Sequence, residues 1–198
     1  MARPAGSPRL ETVPIQALDD DLRDRITAAI STTAGATNLY LTLARHPGLA
    51  RRYLPFAGKL LPAGKLPVRA RELAILRTAW RCGSDYEWGQ HERIAQDCGI
   101  SWNEIQCVVM PSPSDVFDQP DRCVLVACDE LVAQHRVSAG TWEDLVGYYE
   151  DIGTIELIML VGNYVMLAGL LNSVGVAREP GVPGLPSPSA ADDCEGMR

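Results

Sequence analysis

Residues 71–100 read "RELAILRTAWRCGSDYEWGQHERIAQDCGI", and the reading of this stretch decides the fold. Ahead of and within it, apolar residues recur at Val68, Leu73, Leu76 and Trp80, the spacing of a helix. Gly83 suits the end of that helix, and Ser84 suits the start of another that runs to about Cys98 and stops at Gly99. So short a break lets the two helices fold back as an antiparallel pair. Ser84-x-x-Glu87 has the form of a capping box, a serine and a glutamate that satisfy each other's backbone N–H groups. Glu87 and His91 are an i, i+4 pair. Around the helix, Ser84, Glu87 and His91 fall within about 60° of one another. Glu72 lies on the preceding helix, where a hairpin would let it face His91. A solvated polar stripe accounts for these residues. So does a carboxylate that orients a histidine, which is a recurring acid–base arrangement.

Working outward, the chain reads as helical almost throughout. Residues 18–32 carry Leu18, Leu22, Ile26 and Ile30 at a spacing of four. Thr37 suits the start of "NLYLTLARH", which Pro47-Gly48 would end, and a short helix over 49–61 follows. Ser101-x-x-Glu104 is a second capping-box pattern, ahead of "WNEIQCVVM". A long helix is expected over 119–136. Thr141 precedes "WEDLVGYYE", and Thr154 opens a last helix to about Val174. No segment alternates cleanly with period two. The expectation is an all-α fold of antiparallel helix pairs. It has a flexible segment over 1–17, one helical domain over 18–177, and a disordered Pro/Gly/Ser-rich tail over 178–198 that holds Pro180, Pro183, Pro186 and Pro188.

The totals bound the function. A chain of 198 residues, 46% apolar and 22% charged, suits one globular domain. A net charge of −7 excludes nucleic acid as the main partner, because phosphate binding needs a basic face. The longest apolar run, "IELIMLVGNYVMLAGLL" at 155–171, contains Glu156 and Asn163 and is short of the ~20 residues of a membrane span. It reads as a buried helix, so no membrane partner is expected. The N-terminus lacks the apolar stretch of a signal peptide, which points to the cytoplasm. Six cysteines, at 82, 98, 107, 123, 128 and 194, show no Cys-x-x-Cys pair, and the three histidines are scattered. The cysteines read as small buried hydrophobes, and neither a metal nor a cofactor is expected.

The motif "RxRELAILRTAW…YEWGQH…GIS" resembles the carboxymuconolactone decarboxylase family, which includes the AhpD-like alkylhydroperoxidases. The segments "LARHPGLARRYLPFAGKLL" and "ELIMLVGNYVMLAGLLNSVGV" are similar to it too, so the resemblance covers roughly residues 20–176. The peroxidase branch places Glu, eleven residues, Cys, two residues, Cys, three residues, His. That frame falls here on Glu72, Ser84, Glu87 and His91, with both motif cysteines replaced. The "YEWxxH" form resembles a cysteine-free branch of the family. Peroxidase chemistry needs a thiolate, which Ser84 and Glu87 cannot supply.

The resemblance implies an AhpD-like bundle, a homo-oligomer (trimer or hexamer) and a small-molecule substrate. The implied activity is a cofactor-independent acid–base enzyme: a decarboxylase, or a related lyase or isomerase, on an unsaturated keto acid or lactone. His91 is the candidate acid/base, Glu72 its orienter and Glu87 a second acid/base group. Ser84, Tyr164 and Arg71 are candidate substrate contacts. Ser84 reads equally as a cap, Tyr164 as core, and Arg71 and Arg77 as a solvated helix face. Tyr164 and Asn163 lie in the apolar last helix, where buried polar groups need partners. The competing readings are a non-catalytic helical oligomer that binds a small molecule and, more remotely, a thiol peroxidase.

Overall fold

The helical hairpin at the centre of the sequence is the centre of the fold. The computed structural model describes residues 8–33, 35–61, 63–111 and 115–187. Helix α4 (Val68–Arg81) and helix α5 (Asp85–Asp97) are joined through Gly83, whose φ of 60° is the left-handed conformation glycine adopts without strain. Leu73, Ala74, Ile75, Leu76 and Ala79 of α4 are completely buried. They are covered by α5, by α7 (Gln119–Gln134) and by α8 (Ala139–Val174). A second apolar cluster joins α1 (Asp20–Thr32), α2 (Thr37–Leu43) and α3 (Pro47–Leu60), and meets the first through Tyr86, Leu167 and Leu171. Helix α6 (Trp102–Cys107) carries the capping box that Ser101 and Glu104 announce. Among the described residues there is no strand, so the fold is all-α as expected.

Helix α8 contains a break at Glu150, where φ is 56°. Its cap is Ser138, three residues before the expected Thr141, and Thr154 lies buried inside the helix instead of opening it. By length and composition α8 could cross a bilayer, but half of its most apolar stretch is buried in the bundle. At the other end of the chain, Pro47 starts a helix instead of ending one. His46 is the N-cap of α3, its Nδ1 accepting the backbone N–H of Leu49 at 3.2 Å. Proline suits a first helical turn, whose N–H groups lack intrahelical partners.

Arg77 corrects the solvated-face reading. Its side chain is buried, with Nε and Nη2 donating to the Asp129 carboxylate at 2.7 and 2.6 Å, and Nη1 donating to the carbonyls of Val108 and Met110. Arg81 donates to the same carboxylate. This pair ties α4 to α7 and to the chain after α6.

Parts of both chain ends make defined contacts with the bundle. Within the N-terminal segment, Val13 N–H donates to the Leu41 carbonyl at 3.1 Å and residues Ile15–Ala17 form a 3-10 turn. Within the expected tail, residues 178–187 form a strap across α5. Glu179 accepts hydrogen bonds from Tyr86 Oη at 2.7 Å, from Asn38 N–H at 2.8 Å and from Gln90 Nε2 at 2.5 Å. Val182 is buried, and Leu185 N–H donates to Asp85 Oδ1 at 2.9 Å. Composition announced disorder, but one carboxylate with three partners anchors the strap. The remainder of both segments, 1–7 and 188–198, lies outside the described residues.

Gly89 makes room for the strap. A Cβ at this position would lie 2.1 Å from the Pro183 carbonyl oxygen. Gly89→Ala should therefore lift the strap, at a cost of ~1–3 kcal/mol for overpacking. Hydrogen exchange of residues 178–187 should rise in this variant while α4 stays protected. Unchanged protection of the strap would contradict the packing described.

Candidate functional site

The site starts from a buried carboxylate on α4. Glu72 Oε2 lies 2.6 Å from His91 Nδ1, and Arg71 Nε donates to Glu72 Oε1 at 2.8 Å. The second arm of Arg71 donates to the Leu61 carbonyl at 2.7 Å. Burial opposes the charge on Glu72, but His91 and Arg71 outweigh it and hold the carboxyl below its ordinary pKa. An ionised carboxylate can only accept, so His91 Nδ1 carries the proton shared with Glu72. The other ring nitrogen, Nε2, meets Tyr164 Oη at 2.8 Å. The rings stand edge to face, with centroids 5.1 Å apart. Burial raises the Tyr164 hydroxyl well above its usual pKa, so it stays a neutral phenol beside His91. Arg71, Glu72, His91 and Tyr164 thus form one hydrogen-bonded chain across α4, α5 and α8.

The chain ends at a small, partly open chamber of about 30 Å³, space for little more than one water. Its walls include His91, Tyr164, Glu87 and Gln90, with the aromatic rings of Tyr40, Tyr53 and Tyr86. A larger groove of about 300 Å³ between α1 and α3 shares Thr33, Tyr40, Ala57 and Leu61 with it. Glu87 is buried, and neither of its carboxyl oxygens has a hydrogen-bond partner. Burial pushes its pKa up to about 8, which the nearby Ser84 hydroxyl offsets only in part and without a well-formed hydrogen bond. Glu87 is therefore mostly a neutral acid at pH 7, while Glu72, on the neighbouring helix, is an anion.

Of the residues singled out in the sequence, Glu72, His91 and Tyr164 converge and Glu87 stands on the same chamber wall. Ser84 starts α5 but its hydroxyl makes no cap, and Glu87 lines the chamber, so the capping box does not form. Arg71 stands behind Glu72 and not among the chamber residues. Gln90, Tyr40, Tyr53 and Glu179 carry no signal of their own. Gln90 is three residues from Glu87 and shares its helical face, so the helix period would have found it. Tyr40, Tyr53 and Glu179 arrive from distant segments. No group of three or more His, Cys, Asp or Glu side chains converges as a metal site among the described residues.

Comparison with known proteins agrees with this architecture. Residues 47–118 match the carboxymuconolactone decarboxylase family. No curated protein gave a significant match. The fold is shared with an uncharacterised peroxidase-related protein from Ralstonia eutropha JMP134, described as an alkylhydroperoxidase AhpD core. It is 21% identical with a TM-score of 0.77, over 90% of this chain and 95% of that one. A peroxidase-related protein from Silicibacter sp. TM1040 superposes with a TM-score of 0.75 at 14% identity, over 92% and 97% of the two chains. The debrominase Bmp8, solved with 2,3,4-tribromopyrrole, superposes with a TM-score of 0.71 at 14% identity, over 94% and 96%. At these identities the likeness establishes an AhpD-like fold.

The raised pKa of Glu87 has a thermodynamic signature. Between the ordinary carboxyl pKa of ~4.3 and about 8, the unfolded chain ionises Glu87 while the folded chain keeps its proton. Glu87 therefore supports stability fully below the unfolded pKa, and this contribution is lost as pH rises to 8. The slope approaches ~1.4 kcal/mol per pH unit. Glu87→Gln removes it. The melting temperature of Glu87→Gln relative to the natural chain should rise steadily from pH 5 to pH 8, and a pH-independent difference would show that Glu87 titrates normally.

Proposed function

We propose that the protein is a cofactor-independent acid–base enzyme of the carboxymuconolactone decarboxylase family, a decarboxylase or related lyase or isomerase acting on a small unsaturated keto acid or lactone. The observation that carries this reading is the chain Arg71–Glu72–His91–Tyr164 ending in a chamber that also holds Glu87. Two groups on one chamber with opposite protonation preferences are what a proton-transfer reaction requires. His91, polarised by Glu72, accepts a proton through the Tyr164 hydroxyl. Glu87 in its neutral form supplies one. In a decarboxylation the substrate carboxylate leaves as CO2, its bonding electrons pass into the conjugated carbonyl, and a proton from this site completes the carbon. In an isomerisation the same groups remove a proton from one atom and return it to another.

Thiol chemistry fits the chain less well. Burial raises the pKa of Cys82, which Glu87 raises further, and burial raises that of Cys98. Neither is the electropositive setting of a reactive thiolate. The assignment to the YEWxxH branch rests on the motif positions Ser84 and Glu87 alone, since six cysteines occur elsewhere in the chain. We also propose that the protein is a homo-oligomer, a trimer or hexamer. Ile152, Ile155, Met159 and Met166 form an exposed apolar stripe along α8, the kind of surface that subunit contacts cover.

The test is a screen of unsaturated keto acids and lactones, followed by variants on the substrate turned over. His91→Gln and Tyr164→Phe should each lower kcat by ~10²–10⁴ while leaving the melting temperature within a few degrees. Glu72→Gln should lower it less if the carboxylate only orients and polarises the imidazole. If His91→Gln turns over at the natural rate, the acid–base role of His91 is wrong; if no compound in the screen is turned over, the non-catalytic binding oligomer takes its place.

A further inference from the structure

The chamber contains a second unpartnered acceptor, and its orientation is fixed from outside. Gln90 is buried and lines the chamber. Its Nε2 donates to the carboxylate of Glu179 on the strap. A carboxylate only accepts, so the amide cannot turn round without placing oxygen against oxygen. Gln90 Oε1 is thereby held on the other side of the amide, buried and without a partner. Leaving a buried acceptor unpaired is unfavourable, a cost that a ligand donor would remove. Glu179 also accepts from Tyr86 Oη, so it sets two residues of the chamber wall at once.

The charges around the chamber narrow the ligand further. None of the described lining residues is Lys or Arg. Arg71 is held by Glu72 and the Leu61 carbonyl. His91 offers its two nitrogens to Glu72 and Tyr164. A carboxylate placed here would lose its hydration, meet no Lys or Arg and leave Gln90 Oε1 without a donor. The chamber's small volume fits a group the size of a hydroxyl or hydroxymethyl, with the body of the ligand in the adjoining groove.

We propose that the site selects an uncharged substrate whose reacting end presents a hydroxyl or N–H donor to Gln90 Oε1, and that Glu179 is the positioning residue that fixes this preference. Within the acid–base reading, on which the proposal rests for its choice of ligand class, this favours a neutral hydroxylated lactone over a keto acid, and so the isomerase or lyase form of that reading over decarboxylation, since a neutral substrate has no carboxylate to lose.

Isothermal titration of the natural full-length protein at pH 7 with three 2(5H)-furanones tests the idea, the ring carrying hydroxymethyl, methyl or carboxylate at carbon 5. The hydroxymethyl compound should bind on the order of tenfold more tightly than either other compound, the worth of one good buried hydrogen bond. Gln90→Leu should erase its advantage over the methyl compound. Glu179→Gln should shrink the same ratio, since an amide at position 179 tolerates either orientation of Gln90. A merely structural role for Glu179 would weaken all three ligands alike and leave the ratio unchanged. The proposal is overturned if the carboxylate binds as tightly as the hydroxymethyl compound, if the hydroxymethyl compound fails to bind or gains nothing over the methyl one, or if its advantage survives both substitutions. The ranking on the natural protein needs no variant to fold. It reads binding and not turnover, so it can fail while His91→Gln still abolishes activity, and the reverse.

Discussion

Burying the carboxylate of Glu72 is the constraint on which the rest of the site depends. An ion of this kind in a protein interior is tolerated only with close partners. Glu72 has two, one on each oxygen: Arg71 beside it in sequence and His91 across the hairpin. The hairpin contact requires α4 and α5 to cross at a fixed register, and the turn at Gly83 sets that register. The same contact fixes which imidazole nitrogen carries a proton, and so which one faces Tyr164. Helix α8 must then bring Tyr164 to the hairpin at the level of His91. One buried charge thus specifies the relation of three helices, in a core whose apolar contacts alone would permit sliding.

Two carboxylates on adjacent helices are driven in opposite directions by their surroundings. Glu72 is buried with cationic and N–H partners, and stays ionised. Glu87 is buried without such partners, and holds its proton to about 8. Their sequence contexts do not differ in an obvious way, since each lies next to an aromatic or basic residue on a helix. What differs is the third dimension. Glu72 points at the facing helix, whereas Glu87 points at a small hollow among tyrosines. The pair therefore acquires opposite protonation preferences from position alone, which is what the proposed roles of orienting anion and proton donor require.

The fold was largely legible because its signals are local. Helix period, Gly83 and the Ser101–Glu104 box each act within a turn or two, and the hairpin followed from them. The Glu72–His91 contact was legible as an allowance of that hairpin, and Tyr164 because a hydroxyl in an apolar helix needs a partner. What stayed hidden depends on contacts between distant segments. Arg77 reads as surface until Asp129, 52 residues on, arrives to pair with it. Ser84-x-x-Glu87 reads as a cap until the chamber gives the glutamate another place to point. The strap reads as disordered because its prolines and glycines carry no period. Its order comes from Glu179, which meets Tyr86 across 93 residues, and from the missing side chain of Gly89.

The strap changes how the site should be understood. A hairpin with a histidine and a glutamate defines proton chemistry but little about the molecule that undergoes it. Selection has to come from groups that do not themselves react, and here these arrive from α2, α3 and the C-terminal segment. Tyr40 and Tyr53 narrow the space, and Glu179 turns Gln90. The proposed reactive groups and the proposed selecting groups therefore lie on different parts of the chain and meet at the chamber. A chain could exchange the second while keeping the first, so residues matching at Glu72 and His91 would say what kind of step occurs, and residues at 90 and 179 would say on what. An AhpD-like fold shared at 14–21% identity with proteins described as peroxidase-related or as a debrominase is consistent with that division, since the common bundle positions a hairpin and leaves its chemistry to the residues placed on it.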